Sequence, residues 1–264
     1  AFIVALATQG HPVVATDYAG YVQGSVAPGY LLAEDEAHSV LDAARAINNF
    51  RTKAVDQVVL VGHSQGGHAV LAAQALAGSY GMAGRLAGTA AMAPFWAPLR
   101  LLPVAVAAPP FDKDPFAQSF AIEYFYTGAE VRDGRGQGAL LFTVDADVLT
   151  SYVSICSFSS TYCQFINPPD FGLAAKFFEP TFFATVAACG ADRAACNASP
   201  LAQKWEQRFI SDRPTIRRNG GPIVLWHGAF DEVIPAPFAK CAIKKITRDL
   251  GLNKSADVDA EDAE

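Results

Sequence analysis

The sequence predicts an α/β fold in which a mostly parallel sheet has helices on both faces. Three apolar runs that are typical of strands, at 11–16, 58–63 and 86–93, alternate with helical patterns over the first 94 residues. A fourth strand-like run, 223–227, follows much later in the chain. Strands that alternate with helices at this spacing favour parallel pairing, because a crossover between parallel strands needs room for a helix.

Composition sets limits on the function. The chain has 264 residues, of which 51% are hydrophobic and 17% charged, so it can bury a substantial core. A net charge of −6 argues against a nucleic acid as partner. Residues 57–84 carry no charged side chain, but glycines and polar residues at 62–67 interrupt this stretch, so it is not predicted to span a membrane.

The first 94 residues predict an ordered succession of elements. Residues 1–9 have the pattern of a helix that is stopped by Gly10, and 11–16 is expected to be a short buried strand. After a loop at 20–32, helical periodicity runs from Glu34 to Asn49, and its first turn is acidic, as the helix dipole favours. The strand before Ser64, a helix after it, and the strand at 86–93 complete this part.

The alternation then breaks, and residues 95–215, here called the insert, are expected to form a helical lid or cap. The insert holds 14 of the 18 phenylalanines, most of which are expected to form its own core. Helical pieces are predicted at 115–127, 145–154, 169–178 and 200–211. The predicted domain organisation is therefore an α/β core in two parts, 1–94 and 216–264, with the insert between them. The core's last helix is expected to end near residue 250, before an acidic tail.

The residues around Ser64 are the strongest functional signal. Gly62-His63-Ser64-Gln65-Gly66 fits the pattern G-x-S-x-G, with a predicted strand before it and a predicted helix after it. In that context the serine is lifted into a strained turn and acts as a nucleophile. The backbone N–H of Gln65 would then stabilise an oxyanion. An isolated match of this kind is mostly chance, and the alternative is an ordinary turn between a strand and a helix.

The cysteines favour an oxidising compartment. Cys156 and Cys163 are seven residues apart, as are Cys189 and Cys196, and both pairs lie in the insert. Local disulfides are predicted for both pairs, whereas a zinc site would need closer spacing or nearby histidines. Cys241 is left over. Glycosylation sequons begin at residues 197 and 253, which is consistent with a secreted or extracytoplasmic protein.

Three short blocks of the chain resemble the secretory lipase family. They are Asp17-Tyr18-Ala19-Gly20, the block from Gly62 to Ala69, and the block His227-Gly228 with Asp231-Glu232-Val233-Ile234-Pro235. The resemblance implies a lipase-A-type α/β-hydrolase with a helical lid between nucleophile and acid. It implies Ser64 as nucleophile and Asp231 as the acid of a catalytic triad, the hydrolysis of carboxylic esters, and no metal or organic cofactor. Glu232 is expected to face solvent or to cap the following helix.

The chain departs from this family pattern at the histidine. Chain order in this fold is serine, acid, histidine, but none of the five histidines follows Asp231. His68 is expected to be structural, and His227 could line the site. A second oxyanion donor is also missing, so the sequence is expected to be a fragment, incomplete at both ends, or the ordered part of a longer enzyme that holds the histidine and a partner for Cys241. A dead homologue is the alternative.

The expected function is that of a secreted serine esterase or lipase. It would act through an acyl-enzyme on a small-molecule or lipid ester with an apolar acyl group, and its lid would touch a lipid interface transiently. Two alternatives remain open at this point. One is a serine peptidase of the same fold, because peptide side chains can be apolar as well. The other is a binding protein on a hydrolase fold that has lost its activity.

Overall fold

The computed structural model describes residues 2–21, 27–96, 115–146, 149, 174–218 and 221–252. Within them, the side chains of residues 2, 115–117 and 174 are not considered. Several sequence predictions fall wholly or partly outside these ranges: the pair Cys156 and Cys163, nearly all of the helix at 145–154, residues 169–173 of the helix at 169–178, the sequon that begins at residue 253, and the acidic tail.

In the first part of the chain, two helices precede a strand–helix–strand unit. Helix α1 is Phe2–Thr8, and helix α2 is Ala33–Ala46 with a 3₁₀ turn at Ile47–Phe50. Strand β1 is Gln57–His63, helix α3 is Gln65–Tyr80, and strand β2 is Arg85–Met92. The final unit is strand β3, Ile223–Trp226, followed by helix α9, Ala236–Asp249. These elements confirm the predicted helices α1, α2, α3 and α9. They also confirm the predicted strands before and after α3 and the strand that follows the insert.

The three strands form one open parallel sheet in the order β1–β2–β3. Strand β1 pairs with β2 so that Leu60 lies opposite Thr89, and β2 pairs with β3 so that Ala90 lies opposite Val224. The carboxyl ends of all three strands therefore lie at one edge of the sheet. The loops that follow β1 and β3, which carry the predicted nucleophile and acid, start from that edge.

The segment 11–16 is not a strand, contrary to the sequence prediction. It has no regular secondary structure, and the side chains of His11, Pro12, Val14 and Ala15 are exposed. The apolar pattern was correctly identified, but a strand also needs a neighbour with which to exchange backbone hydrogen bonds. Among the described residues, no strand pairs with this segment.

Between β2 and β3 the described chain is helical. Helix α4 is Pro115–Asp133, which extends the predicted helix by six residues, and α8 is Pro200–Ser211, as predicted. Two more helices, α6 at Pro180–Ala191 and α7 at Arg193–Ala198, were not predicted. Of the predicted helix at 169–178, residues 169–173 lie outside the described ranges, and α5 is Ala174–Phe177. Side-chain caps define their starts: Glu179 caps α6, Asp192 caps α7 and Ser199 caps α8.

The sheet with its helices and the insert each have their own hydrophobic core. The first joins the sheet to α2, α3 and α9, with Leu41, Leu71 and Ala242 completely buried. The second belongs mainly to the insert and is rich in aromatic side chains, among them Phe125, Phe178 and Trp205. The expectation that the phenylalanines of the insert form its own core is confirmed for those described.

One of the two predicted disulfides is present. Cys189 and Cys196 are bonded and connect α6 to α7. Both cysteines are buried with Ala202 in a small apolar cluster of their own. Cys241 lies buried on α9, in the core that α9 shares with the sheet.

Candidate functional site

Ser64 stands between β1 and α3 in a conformation that L-residues rarely adopt. Its backbone has φ 54° and ψ −120°. The surrounding backbone fixes it there: Ser64 N donates to the carbonyl of Met92 at 2.9 Å, and Ser64 O accepts from the N–H of His68 at 3.1 Å and of Phe95 at 3.3 Å. Such strain costs on the order of 1–3 kcal/mol and persists only where the surroundings over-determine it.

Two glycines make this sharp turn possible. A Cβ on Gly62 would lie 1.9 Å from the carbonyl oxygen of Gly66, and one on Gly67 would lie 2.9 Å from the Cα of Pro94. Neither distance leaves room for a methyl group. Gly62 therefore lets the strand pass the returning helix, and Gly67 lets the helix pass the end of β2.

The turn presents a hydroxyl and a free backbone donor together. Gln65 is the first residue of α3, so its N–H belongs to the first turn, where backbone donors have no partner within the helix. Ser64 and Gln65 are both partly exposed. Among the described residues, no side chain forms a hydrogen bond with Ser64 Oγ. A strained serine next to an unpaired N–H at a helix start is the geometry that supports attack on a carbonyl and stabilisation of an oxyanion.

Asp231 lies in the loop after β3, at the same edge of the sheet. Its Oδ1 accepts from the N–H of Val233 and of Ile234, each at 2.9 Å, which fixes the carboxylate within its loop. The side chain is 19% exposed, so it is neither fully buried nor free in solvent. Glu232 is exposed, as expected for the residue that would not act.

His227 supports the loop of Asp231 and does not join it to Ser64. Its Nε2 lies 2.8 Å from the carbonyl of Ile234, which only accepts hydrogen bonds, so this nitrogen carries the proton. The same atom lies 4.0 Å from Asp231 Oδ2, too far for a hydrogen bond. The Nδ1 atom is buried and meets no hydrogen-bond partner among the described residues.

His68 is buried directly below the turn. Its Nδ1 lies 2.6 Å from Oε2 of Glu36, and its Nε2 lies 2.7 Å from the carbonyl of Asp212. Burial alone would lower the pKa of His68, but the Glu36 carboxylate and the two hydrogen bonds raise it above the ordinary histidine value. The raised pKa favours the protonated ring, in which both nitrogens donate, in keeping with the structural role expected for His68.

Glu36 is the residue that sequence reasoning missed. Its side chain is 1% exposed, and Oε1 accepts from the N–H of Leu31 at 3.0 Å and from Gln65 Nε2 at 2.9 Å. Gln65 Nε2 also donates to the hydroxyl of Tyr21 at 3.2 Å. The acidic first turn of α2 had suggested only a dipole effect. The available signal was position, since Glu36 stands four residues before Val40 on the apolar face of α2.

Two partly buried tyrosines and a second carboxyl complete the surroundings. Burial raises the pKa of Tyr18 and of Tyr21, and the charge of Glu36 adds to the effect on both. Burial also raises the pKa of Glu123, on α4, to about 8. The charge of Glu123 also contributes to the raised pKa of Tyr21.

The remaining histidines lie elsewhere. His63 and His11 are exposed, and the ring of His38 packs on Tyr80 with centroids 4.1 Å apart. None of the described histidine contacts therefore links a base to both Ser64 and Asp231.

Comparisons with known proteins agree with this fold. The family model named Secretory lipase matches residues 1–97. The chain superposes on the rice cell wall degrading esterase LipA from Xanthomonas oryzae with a TM-score of 0.65 and 18% identity, over 88% of this chain and 60% of LipA. It superposes on Candida antarctica lipase A in its closed state with a TM-score of 0.56 and 19% identity, over 83% of this chain and 47% of that protein. No curated protein sequence matches the chain.

The chain thus spans 60% or less of the length of these two structures. At this level of identity the structural likeness establishes the fold, and the family match adds the sequence relationship of the first 97 residues. The predicted resemblance to the secretory lipase family is confirmed, and the chain has the α/β-hydrolase fold.

Proposed function

We propose that this protein is a serine carboxylic-ester hydrolase, a lipase or esterase that acts through an acyl-enzyme. The observation that carries the proposal is the backbone of Ser64, which holds a serine at positive φ between a parallel strand and a helix. An ordinary turn at this place would have no reason to bear such strain. Here the strain raises the hydroxyl above the edge of the sheet, next to a free N–H.

The proposed reaction follows from these groups. Ser64 Oγ attacks the ester carbonyl carbon while a base takes its proton, and the N–H of Gln65 stabilises the tetrahedral oxyanion. The oxyanion collapses, the alcohol leaves with the proton from the base, and water then releases the acid from Ser64 by the same steps. Asp231 is proposed to orient the histidine base through Oδ2, because Oδ1 already accepts two backbone hydrogen bonds. The proposal assigns the base to none of the five histidines.

The substrate class and the location follow from the insert. Its aromatic core and low charge favour an apolar acyl group, and residues 95–215 are proposed to act as a lid between the two parts of the hydrolase core, 1–94 and 216–264. Such a lid would touch a lipid interface transiently. The Cys189–Cys196 disulfide and the name of the matching family both support a secreted or extracytoplasmic location. No described helix is long and apolar enough to cross a membrane.

Replacing Ser64 by alanine tests the proposal in the protein as its gene encodes it. Loss of a triad nucleophile typically lowers the rate by ~10⁴–10⁶, so we expect Ser64→Ala to abolish hydrolysis of p-nitrophenyl esters while the protein remains folded. Ser79→Ala is the matched control, because Ser79 is an exposed serine at the far end of the same helix. Activity of more than a few per cent in Ser64→Ala would exclude Ser64 as nucleophile.

Two further measurements separate the alternatives. A fluorophosphonate probe should label Ser64 in an active hydrolase and leave it unlabelled in a binding protein. Rates on matched ester and peptide substrates distinguish an esterase from a serine peptidase of the same fold, since a peptidase would cleave the amide bond at a comparable rate.

A further inference from the structure

Three hydrogen-bond donors from two parts of the chain converge on the buried carboxylate of Glu36. The N–H of Leu31 and the side-chain amide of Gln65 share Oε1, at 3.0 and 2.9 Å, and His68 holds Oε2 at 2.6 Å. Leu31 itself has φ 57°, a conformation that a leucine keeps only under constraint. Glu36 thus joins a strained loop to the start of α3.

Both the backbone and the side chain of Gln65 take part in the site. Its backbone N–H is the donor proposed to stabilise the oxyanion. Its side chain turns toward the interior, where Nε2 donates to Glu36 Oε1 and to the hydroxyl of Tyr21. The residue that supplies the backbone donor is therefore also tied, through its side chain, to a buried carboxylate and to Tyr21.

His68 gives the same carboxylate a second point of attachment on α3, three residues further along. Its other nitrogen donates to the carbonyl of Asp212, in the chain that follows α8. The carboxylate of Asp212 accepts from the hydroxyl of Tyr124 at 2.9 Å and from Arg132, both on α4. The first turn of α3 is therefore anchored through Glu36 to α2 and through His68 to the insert.

We propose that Glu36 is a positioning residue for the oxyanion hole, acting through the side chain of Gln65. The proposal rests on the proposed function, since it deepens the role of the same site. An oxyanion donor is effective only when it lies 2.7–3.1 Å from the developing charge, and loss of one such donor costs ~10²–10³ in kcat. Loosening a donor that remains present should cost less, about tenfold.

The first test removes the hydrogen bond and leaves the backbone donor in place. Gln65→Met keeps the length of the side chain but not its amide, and Gln65 is partly exposed, so the variant should fold. We expect kcat for p-nitrophenyl esters to fall about tenfold with KM unchanged, because the substrate still binds but the oxyanion is less well stabilised. Gln57→Met is the matched control, at an exposed glutamine at the start of β1.

The second test acts at Glu36. In Glu36→Gln one oxygen can still accept from Leu31 and Gln65, and the new amide can donate to a neutral His68, so this variant should keep most of kcat. In Glu36→Ala these hydrogen bonds are lost, and kcat should fall at least as far as in Gln65→Met. Because both changes act on the same donor, the double variant should have no lower kcat than Glu36→Ala alone.

The outcomes distinguish this inference from the proposed function. Wild-type kcat in Gln65→Met, or losses that multiply in the double variant, would overturn the positioning role while Ser64-dependent hydrolysis still stood. Should Glu36→Ala fail to fold, Gln65→Met decides the question alone, and Glu36→Gln serves as the conservative variant that should keep most of kcat. Absence of hydrolysis that depends on Ser64 would instead overturn the proposed function, and the positioning role with it.

Discussion

At the scale of single residues, Glu36 and His68 form a buried pair whose charge depends on pH. The pKa of His68 is raised in the folded protein, where Glu36 and the Asp212 carbonyl face its ring, and Arg132 and Tyr124 face the Asp212 carboxylate behind that carbonyl. An unfolded histidine titrates near pH 6.5. The stabilisation that the pair supplies is therefore complete below about pH 6.5 and is lost as pH rises through the folded pKa.

This linkage predicts that the pH dependence of the free energy of unfolding changes sign in one variant. We expect the free energy of unfolding, measured by urea titration, to fall with pH above about 6.5 in the wild type. In Glu36→Gln, His68 is buried without a counter-charge, so its folded pKa is lowered and stability should instead be lost as pH falls. Glu34→Gln, at an exposed position two residues earlier, should behave like the wild type. Parallel profiles for the two glutamine variants would contradict this reading of the pair.

The role of a single residue could be predicted where its conformation is fixed by its neighbours in sequence, and not where it is fixed by distant residues. The conformation of Ser64 follows from its immediate neighbours, because only a glycine at 62 lets β1 pass the carbonyl of Gly66. A five-residue motif therefore identified it. The partners of Glu36 lie 5, 29 and 32 residues away, and no local pattern connects them. The sequence placed Glu36 at a helix start but could not show that the folded chain buries it.

At the scale of elements, the strands depend on their neighbours more than the helices do. Strands β1 and β2 were predictable because apolar runs at βαβ spacing pair with one another, and β3 was predictable from its own apolar run after the insert. The segment 11–16 has a similar composition but no pairing partner among the described residues. Helices α6 and α7 were missed because they are short and rich in apolar or small residues, with no polar face to give a periodicity. Their starts were nevertheless present in the sequence as the caps Glu179 and Asp192.

The bond between α6 and α7 allows a prediction at this scale. A disulfide between residues seven apart stabilises the folded state by about 2–3 kcal/mol through loop closure in the unfolded chain. We expect the double variant Cys189→Ala/Cys196→Ala to unfold at a lower urea concentration, with the loss confined to the insert. Cys241→Ala is the comparison, since Cys241 lies in the other core. Unchanged stability of the double variant, or free thiols at 189 and 196 in a non-reducing peptide map, would refute the prediction.

At the scale of the whole molecule, the site is assembled from both ends of the chain. Ser64 and Asp231 are far apart in sequence, yet β1, β2 and β3 bring the loops that carry them to one edge of the sheet. The fold class could be predicted from the sequence. So could the position of both loops at one edge of the sheet, because parallel strands align their carboxyl ends. The anchoring of α3 to the insert through His68 and Asp212 could not, since it links the two hydrophobic cores across 144 residues.

The same arrangement predicts how the 264 residues behave by themselves as a catalyst. Ser64 is a weak nucleophile until a base removes its proton. A base in this fold accepts that proton on one nitrogen while the acid holds the other. His68 has both nitrogens engaged, by Glu36 and by Asp212, and His227 donates to Ile234 and lies 4.0 Å from Asp231 Oδ2. We therefore expect these 264 residues to hydrolyse p-nitrophenyl esters far below the ordinary range of roughly 1–10³ s⁻¹.

A form of the protein that supplies a histidine after Asp231 should reach that range, and its activity should disappear with Ser64→Ala. The decisive assay uses esters of several chain lengths on the purified 264-residue chain. Turnover at ordinary rates would mean that one of the five histidines serves as the base after all. In that event His227→Asn should abolish the activity, because only His227 approaches Asp231 among the described residues and its Nδ1 has no partner there. A fully active His227→Asn variant would then require a base other than His227, one that does not contact Asp231 among the described residues, and the triad that includes Asp231 would have to be abandoned for this chain.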